Sequence, residues 1–398
     1  MPTSYTTSVS ISGVAPGTDI GSQLDSLEII SGSTSPYELP QPPSARASFL
    51  GLPVVLGMTM TPDWWIGKKV TFTITPQGAT GTVSWAGIVQ GYSVSPVQTS
   101  SADQIIELDL LGQTSRLSTE LIQGAIVGSA FSPGSWSTFD DGLNNQLAKT
   151  SWDEVPNGMT WDKAAGTWDT FTNNISGLTF ANDNIGASTS GTFYLADFTG
   201  QDVLSTITTI WANKLKGWFW FDDTTITFNA PASYTNYTQI TSLDATSCIL
   251  WSSLTANQSY GNILNNATMT DYNAANSYAF LDSNSYNTNG NRYQDFGACY
   301  ESSGADILQA VTDKVNAYKA ANKYLQSFTV DLDAMTHVAG EWQNFYKSTK
   351  PVRLPITNIP AAYGGNHTYM VRGVQLNLTN KHAEATLIVV PSTIYNPS

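Results

Sequence analysis

Apolar and polar side chains alternate along two runs within residues 81–117, and this alternation is the clearest structural signal in the chain. A period of two places all apolar side chains of a strand on one face, as in a sheet that covers a core on one side. The segment therefore predicts two antiparallel strands joined by a short polar link. The buried faces would be Val83, Trp85 and Val89 in the first strand and Ile106, Leu108 and Leu110 in the second, with Glu107 and Asp109 facing away.

A glycine interrupts the first of these strands, and more runs of the same type lie before and after the pair. Gly87 is where we expect a bulge that lets the strand bend. Residues 33–44 contain Pro36, Pro40, Pro42 and Pro43, which predict an extended connector. Further strands are predicted at residues 26–30, 45–50, 69–74, 263–270, 327–332, 351–356, 369–378 and 385–390.

Two segments have the helical period instead. After Thr199, which we expect to cap a helix, apolar side chains recur at the helical spacing up to Leu215, and Gly217 would end the helix. A tight hairpin is predicted next, with strands at residues 218–221 and 225–228 and a turn at Asp222-Asp223-Thr224. A second capped helix is predicted from Ser303.

The predicted fold class is mainly β with some α structure. We expect antiparallel β-sandwich or barrel-like domains with a few isolated amphipathic helices. The predicted division is an N-terminal arm at residues 1–25, a first β domain at 26–125, a middle α+β domain at 126–255, and a C-terminal β domain with one helix at 256–398. Within the last domain, residues 273–292 are predicted to form an exposed loop.

The charge balance narrows the range of partners. The chain has 398 residues, with 17 lysines and arginines against 31 aspartates and glutamates, which gives a formal net charge of −14. Tight binding of nucleic-acid phosphates or of anionic lipid needs clustered basic residues, so both are disfavoured. A negative wall would instead let DNA pass without adhering, because like charges repel.

Cysteine content and hydropathy add two expectations. Cys248 and Cys299 do not form a CxxC motif, and two separate buried thiols are favoured over one disulfide, which stays an alternative. No apolar run approaches the roughly 20 residues of a membrane span, and the first residues lack the features of a signal peptide.

Residues that could carry chemistry do not form a recognisable pattern. His337, His367 and His382 have no further His or Cys at zinc-ligand spacing, and Gly-x-Ser-x-Gly is absent from the sequence. Adjacent acids such as Asp222-Asp223 are typical of turns that face water. The other adjacent acidic pairs are Asp140-Asp141 and Asp153-Glu154. We therefore predict no catalytic residue, no cofactor and no metal site.

The tryptophans allow a different kind of site. Trp64-Trp65 follows Pro62-Asp63 in a predicted loop, where exposed rings could contact a protein interface or a glycan. Trp218 and Trp220 would share one face of a strand, and core packing explains them at least as well. Trp64 and Trp65 are accordingly the candidate contact residues.

With these elements in place, the chain resembles the tail-hub proteins of long-tailed bacteriophages. The resemblance rests on Trp85, Gly87 and Val89 followed by residues 108–111 (LDLL), on the helix and hairpin at 199–228 with Ile226 and Phe228, and loosely on Tyr260 and Asn262. The order of the later strands also matches. Residues 132–198 have no counterpart in the pattern, and residues 273–292 depart from the tighter turn that it contains.

The resemblance implies a structural protein of the virion and no enzyme. Residues 26–125 would be the first tube-like domain, and three chains would form a ring that caps the tail tube and opens for DNA. The implied partners are further copies of the chain in a homotrimer, the tail tube or distal tail protein, the tape-measure protein and other tail-tip proteins. DNA would pass through without specific binding. The implied location is the tail tip of the virion, and the host cytoplasm before assembly.

Two other functions stay open at the level of sequence. A receptor- or carbohydrate-binding tail module is suggested by Trp64-Trp65 and by the Asn- and Tyr-rich residues 273–292. A cell-wall-degrading enzyme is the weaker alternative, since a glycosidase needs two carboxylates that flank a sugar.

Overall fold

The fold is derived from a computed structural model of the 398-residue chain. The structure describes residues 5–13, 19–35, 38–51, 65–77, 81–96, 104–119, 148–149, 173–174, 179–182, 200–211, 218–229, 237–257, 263–271, 274–299, 304–320, 324–335, 340–348, 352–379 and 382–392.

Strands dominate the described part of the chain. The strands are β1 (Tyr5–Ile11), β2 (Leu24–Gly32), β3 (Gln41–Leu50), β4 (Lys69–Pro76), β5 (Val83–Pro96), β6 (Gln104–Gly112), β7 (Ala148–Lys149), β8 (Asn173–Asn174), β9 (Thr179–Asn182), β10 (Trp218–Phe221), β11 (Thr225–Asn229), β12 (Thr238–Gln239), β13 (Leu243–Asp244), β14 (Thr255–Asn257), β15 (Asn266–Asp271), β16 (Ser277–Leu281), β17 (Tyr293–Cys299), β18 (Tyr324–Asp331), β19 (Val352–Thr357), β20 (His367–Thr379) and β21 (His382–Pro391). The α-helices are α1 (Val203–Trp211), α2 (Ala245–Cys248), α3 (Ser283–Asn289), α4 (Gly304–Tyr318) and α5 (Gln343–Tyr346).

One large sheet joins the two ends of the chain. Its strands are hydrogen-bonded in the order β1-β4-β5-β6-β3-β2-β20-β21-β18-β14, and β19 pairs with β20 outside this path. The hydroxyl of Tyr5 in β1 donates a hydrogen bond to the carbonyl of Thr379 in β20, so the path curls back on itself. The predicted mainly β fold with antiparallel sheets and isolated helices is confirmed.

The sheet crosses the predicted domain boundaries. β1 pairs with β4 over its full length, so residues 5–11 form a strand of the sheet. β2 then pairs with β20 along seven residues, which joins the first predicted domain to the last. The division at residues 25, 125 and 255 stays a prediction.

The strand pair with the clearest sequence signal forms as expected, with one correction. Ile106, Leu108 and Leu110 are buried, while Glu107 and Asp109 are exposed. The predicted bulge at Gly87 is wrong, because the register between β5 and β6 shifts between Val89 and Gly91. Gly87 is instead covered by an indole ring, since a Cβ there would lie 2.3 Å from the Cη2 atom of Trp85.

The two predicted helices are α1 and α4, and the cap of α1 lies later than we expected. Asp202 caps α1, because its Oδ1 atom accepts a hydrogen bond of 2.8 Å from the backbone N–H of Ser205, and Thr199 lies outside the described residues. The apolar stripe of α4 packs on a small sheet with the order β16-β15-β17. The stripe consists of Ile307, Val311 and Val315.

The loop predicted at residues 273–292 is wrong. These residues contain β16, which pairs with β15 in the small sheet, and the helix α3. Asp282 caps α3 by accepting a hydrogen bond of 2.9 Å from the backbone N–H of Ser285, and Lys319 lies 3.1 Å from its other oxygen. The hydrogen bond from Ser285, aided by Lys319, lowers the pKa of Asp282. Sequence composition alone did not show this capping.

The predicted hairpin of β10 and β11 is confirmed, and it packs on the large sheet. Its turn residues Asp222 and Asp223 lie 2.8 Å and 3.0 Å from the Nζ atom of Lys347, which is mostly buried. The indole N–H of Trp220 donates a hydrogen bond to the carbonyl of Ser348. The tip and one strand of the hairpin are thus both attached to residues 347–348.

Candidate functional site

Polar side chains form a straight line across six neighbouring strands of the large sheet. Cross-strand pairs run without interruption from β18 through β21, β20, β2 and β3 to β6. Side chains paired in this way point to the same face of a sheet. The row consists of Asp331, Glu384, Asn377, Glu28, Arg46 and Asp109.

Two more rows flank this one, and we call the three rows together the polar face. The row on one side is His382, Thr379, Ser26, Ser48 and Glu107. The row on the other side is Thr329, Thr386, Gln375, Ile30, Ser44 and Leu111. The polar face therefore spans one side of six strands, and the apolar side chains in its three rows are Ile30 and Leu111.

The opposite face of the same strands lies on the core. The residues that alternate with the polar ones along these strands point to the opposite face. They are all buried, and they belong to one hydrophobic cluster. They include Val330, Ala385, Leu376, Ile29, Ala45 and Leu110. Burial of this side fixes the register, because a slip by one residue would expose the apolar set.

The polar face carries net negative charge. Its charged side chains are the carboxylates of Glu28, Glu107, Asp109, Asp331 and Glu384 and the guanidinium of Arg46. The Nε atom of Arg46 lies 3.0 Å from Oδ1 of Asp109, and Gln375 donates a hydrogen bond to Glu28. The hydrogen bond to Asp109 raises the pKa of Arg46 further above the physiological range.

Carboxylates surround an imidazole at one end of the polar face. The Nδ1 atom of His382 lies 2.8 Å from Asp333 and 3.9 Å from Asp331, and its Nε2 atom lies 3.7 Å from Glu384. Asp331, Asp333 and His382 each offer one ligand atom within 4.8 Å of the others. The group is partly exposed and its members hydrogen-bond to one another, so we assign no ion to it. Sequence reasoning missed this group. The two patterns that could have indicated it are Asp-x-Asp at residues 331–333 and His-x-Glu at residues 382–384.

Of the two candidate contact residues, the structure describes only Trp65. Its side chain is 2% exposed and belongs to the main hydrophobic core. Other side chains of the chain therefore cover the ring of Trp65, which leaves no face of it for contact with a glycan or a partner protein. Trp64 lies outside the described residues, and a contact through it stays a prediction.

The other chemical candidates from the sequence do not meet in a catalytic arrangement among the described residues. Asp222 and Asp223 form ion pairs with Lys347 at the hairpin turn, as typical of the predicted turn. His367 packs edge-on against Tyr324 and Tyr369. Cys248 and Cys299 are both buried and neither forms a disulfide, which confirms two separate thiols. Asp140-Asp141, Asp153-Glu154 and His337 lie outside the described residues.

Comparison with solved structures identifies the fold. The chain matches a tail protein from Neisseria meningitidis MC58 with a TM-score of 0.56 at 14% identity, over 99% of this chain and 98% of that one. It matches the 43 kDa tail protein of prophage MuSo2 from Shewanella oneidensis with a TM-score of 0.57 at 10% identity, over 98% of both chains. The chain has the fold of phage tail proteins.

A third match extends this tail-protein fold beyond phages. The c3393 protein of E. coli, a component of the type VI secretion system with structural similarity to the T4 tail proteins gp27 and gp5, matches with a TM-score of 0.50 at 12% identity. That match covers 97% of this chain and 78% of the other. Comparison with models of protein families gave no match, and neither did comparison with curated protein sequences.

The helices add one observation about membranes. Among the residues that the structure describes, no helix is both long and apolar enough to cross a membrane.

Proposed function

We propose that the chain is a structural protein of a phage tail, the hub at the tail tip. Three copies form a ring that caps the tail tube, and the ring opens for the passage of DNA. The shared fold of two phage tail proteins over nearly the whole chain supports a structural role in a tail. The sequence resemblance supports the more specific role of a hub.

The polar face is the observation that carries this proposal. A sheet with one face on the core and the other covered by Ser, Thr, Asn, Gln and carboxylates is suited to line a water-filled channel. Five carboxylates against one guanidinium repel the phosphates of DNA, so that duplex passes without being retained. The polar face thus forms the wall of the channel, and the core side supports it.

The proposed partners follow from this position. Further copies of the chain form the ring, and the tail tube or distal tail protein, the tape-measure protein and other tail-tip proteins contact it. The protein has no enzymatic role, which agrees with the ion-paired state of Asp222 and Asp223. Its place is the tail tip of the virion, and the host cytoplasm before assembly.

A labelling experiment tests both the ring and the position of the polar face. Asn377→Cys lies in the central polar row, and the control Asn284→Cys lies in α3 at an exposed position. Native mass and electron-microscope class averages should show a trimer with a central hole. A gold-maleimide label should appear in the hole for Asn377→Cys and on the periphery for Asn284→Cys. A label outside the hole in the first variant would contradict the assignment of the polar face.

A second candidate function is binding of a host glycan by the small sheet. Its open face presents Tyr293, which is 54% exposed and whose hydroxyl lies 2.8 Å from Oγ1 of Thr268. Thr268 in turn donates a hydrogen bond of 3.2 Å to Asp295. A flat ring held in place beside a carboxylate is an arrangement that sugars can contact by stacking and hydrogen bonding. This observation supports β15 and β17 as the proposed site of the carbohydrate-binding alternative.

Glycan binding can be measured with one variant and one control. If the small sheet binds a glycan, Tyr293→Ala should weaken binding to host cell-surface polysaccharide about tenfold, since stacking and one hydrogen bond are lost together. Tyr286→Ala in α3, where the ring is also exposed, should leave binding unchanged. Equal binding by wild type and Tyr293→Ala would remove this candidate.

A further inference from the structure

We propose that the carboxylates of Glu28, Glu107 and Asp109 offset the positive charge of Arg46, so that the polar face does not retain DNA. This inference rests on the proposed passage of DNA along the polar face. Arg46 is the one lysine or arginine in the three rows that define this face. An unscreened guanidinium there would bind each passing phosphate and slow the movement of duplex.

The register places the three carboxylates around Arg46. Glu28 is its cross-strand partner on β2, and Asp109 is its partner on β6. Glu107 lies two residues before Asp109 on the same face of β6, diagonally opposite Arg46. The attraction of all three carboxylates acts on Arg46, and Asp109 adds the hydrogen bond of 3.0 Å.

The three carboxylates act through their charge, because they do not cover the side chain of Arg46. Arg46 is 65% exposed and Asp109 59% exposed, so a phosphate has physical access to the guanidinium. Single exposed ion pairs contribute little to stability. Three carboxylates around one guanidinium nevertheless leave a patch of net negative charge. This charge repels a phosphate that comes within the Debye length, which is about 10 Å at 0.1 M salt.

Neutral replacements of similar shape separate charge from structure. The variant E28Q/E107Q/D109N releases Arg46, and the variant E28Q/E107Q/D109N/R46Q removes the released cation in the same background. The probe is a fluorescent 30-base-pair duplex DNA, titrated against the native assembly at low and at physiological salt. Thermal unfolding of each variant checks the fold, and E107Q/D109N is the milder version if the triple variant does not fold.

The expected pattern across these proteins is specific. Wild type should not retain duplex at 50 mM salt. The triple variant should bind at least tenfold more tightly than wild type, and added salt should weaken this binding, because counterions are released. The quadruple variant should return to the behaviour of wild type.

Two results would overturn the inference. In one, the triple variant, or E107Q/D109N in its place, binds duplex no better than wild type. In the other, the quadruple variant binds as tightly as the triple variant, which would assign the effect to general loss of negative charge. Neither result changes where the gold label lies in Asn377→Cys, so failure of this inference is distinguishable from failure of the proposed channel.

Discussion

Gly373→Ala is expected to lower the free energy of unfolding by about 3 kcal/mol or more, because the strand has no room for a side chain at this position. A Cβ atom on residue 373 would lie 1.9 Å from the carbonyl oxygen of Ser33 and 2.9 Å from its carbonyl carbon. The obstacle is backbone, and the N–H of Ser33 donates a hydrogen bond of 2.9 Å to the carbonyl of Arg372. The backbone of Ser33 cannot move away without disturbing the junction of β2 and β20.

A second strand glycine provides a matched control. Gly91 in β5 and Gly373 in β20 both directly follow a shift in the register of their strand pairs. The first atom that a Cβ at Gly91 would meet is Oδ2 of Asp109 at 3.6 Å, which is an ordinary contact. Gly91→Ala should therefore change the free energy of unfolding by less than about 1 kcal/mol. Urea unfolding of both variants measures the difference, and equal stability of the two would contradict a tight junction at β2 and β20.

The sequence predicts the strands of this junction but not their pairing. Alternation identifies β6 and the later strands because burial of one face leaves a period of two in the chain. Nothing in that period shows that β2 pairs with β20, more than 300 residues later. Such a pairing depends on the packing of the whole sheet, and the polar face appears only once this order is known.

Local composition was also insufficient for particular side chains. Trp65 follows a Pro-Asp pair, which favours a loop, yet its ring lies in the main core. Residues 283–289 have one apolar side chain, Tyr286, yet they form α3, which is attached to Lys319 through Asp282 and Ser285. In both cases tertiary contacts override the local signal.

The pair of aspartates at residues 222–223 shows what sequence reasoning did reach. Two adjacent acids between strand-like runs predicted a turn, and they form the turn of the β10–β11 hairpin. No local pattern indicated Lys347, which lies more than 120 residues away and pairs with both. A turn is a local property of the chain, whereas its ion-pair partner is set by the fold.

The second large effect is expected for Trp220→Ala, which should cost about 3–5 kcal/mol of unfolding free energy. The side chain of Trp220 is 1% exposed, and its indole N–H donates a hydrogen bond to the carbonyl of Ser348. The ring also lies over Gly32, where a Cβ would be 2.5 Å from the Cη2 atom of Trp220. Removal of the indole leaves a cavity between the β10–β11 hairpin and the large sheet, together with an unpaired carbonyl.

Trp251→Ala is the control, because it removes the same side chain from a position that is 41% exposed. The unfolding free energy of this variant should fall by about 1 kcal/mol or less, since little packing is lost. Limited proteolysis adds a local measurement, because loss of Trp220 should expose residues 218–229 to cleavage before the large sheet unfolds. If Trp220→Ala were no less stable than Trp251→Ala, the hairpin would not be attached to the sheet through this indole, and Lys347 alone would hold its turn.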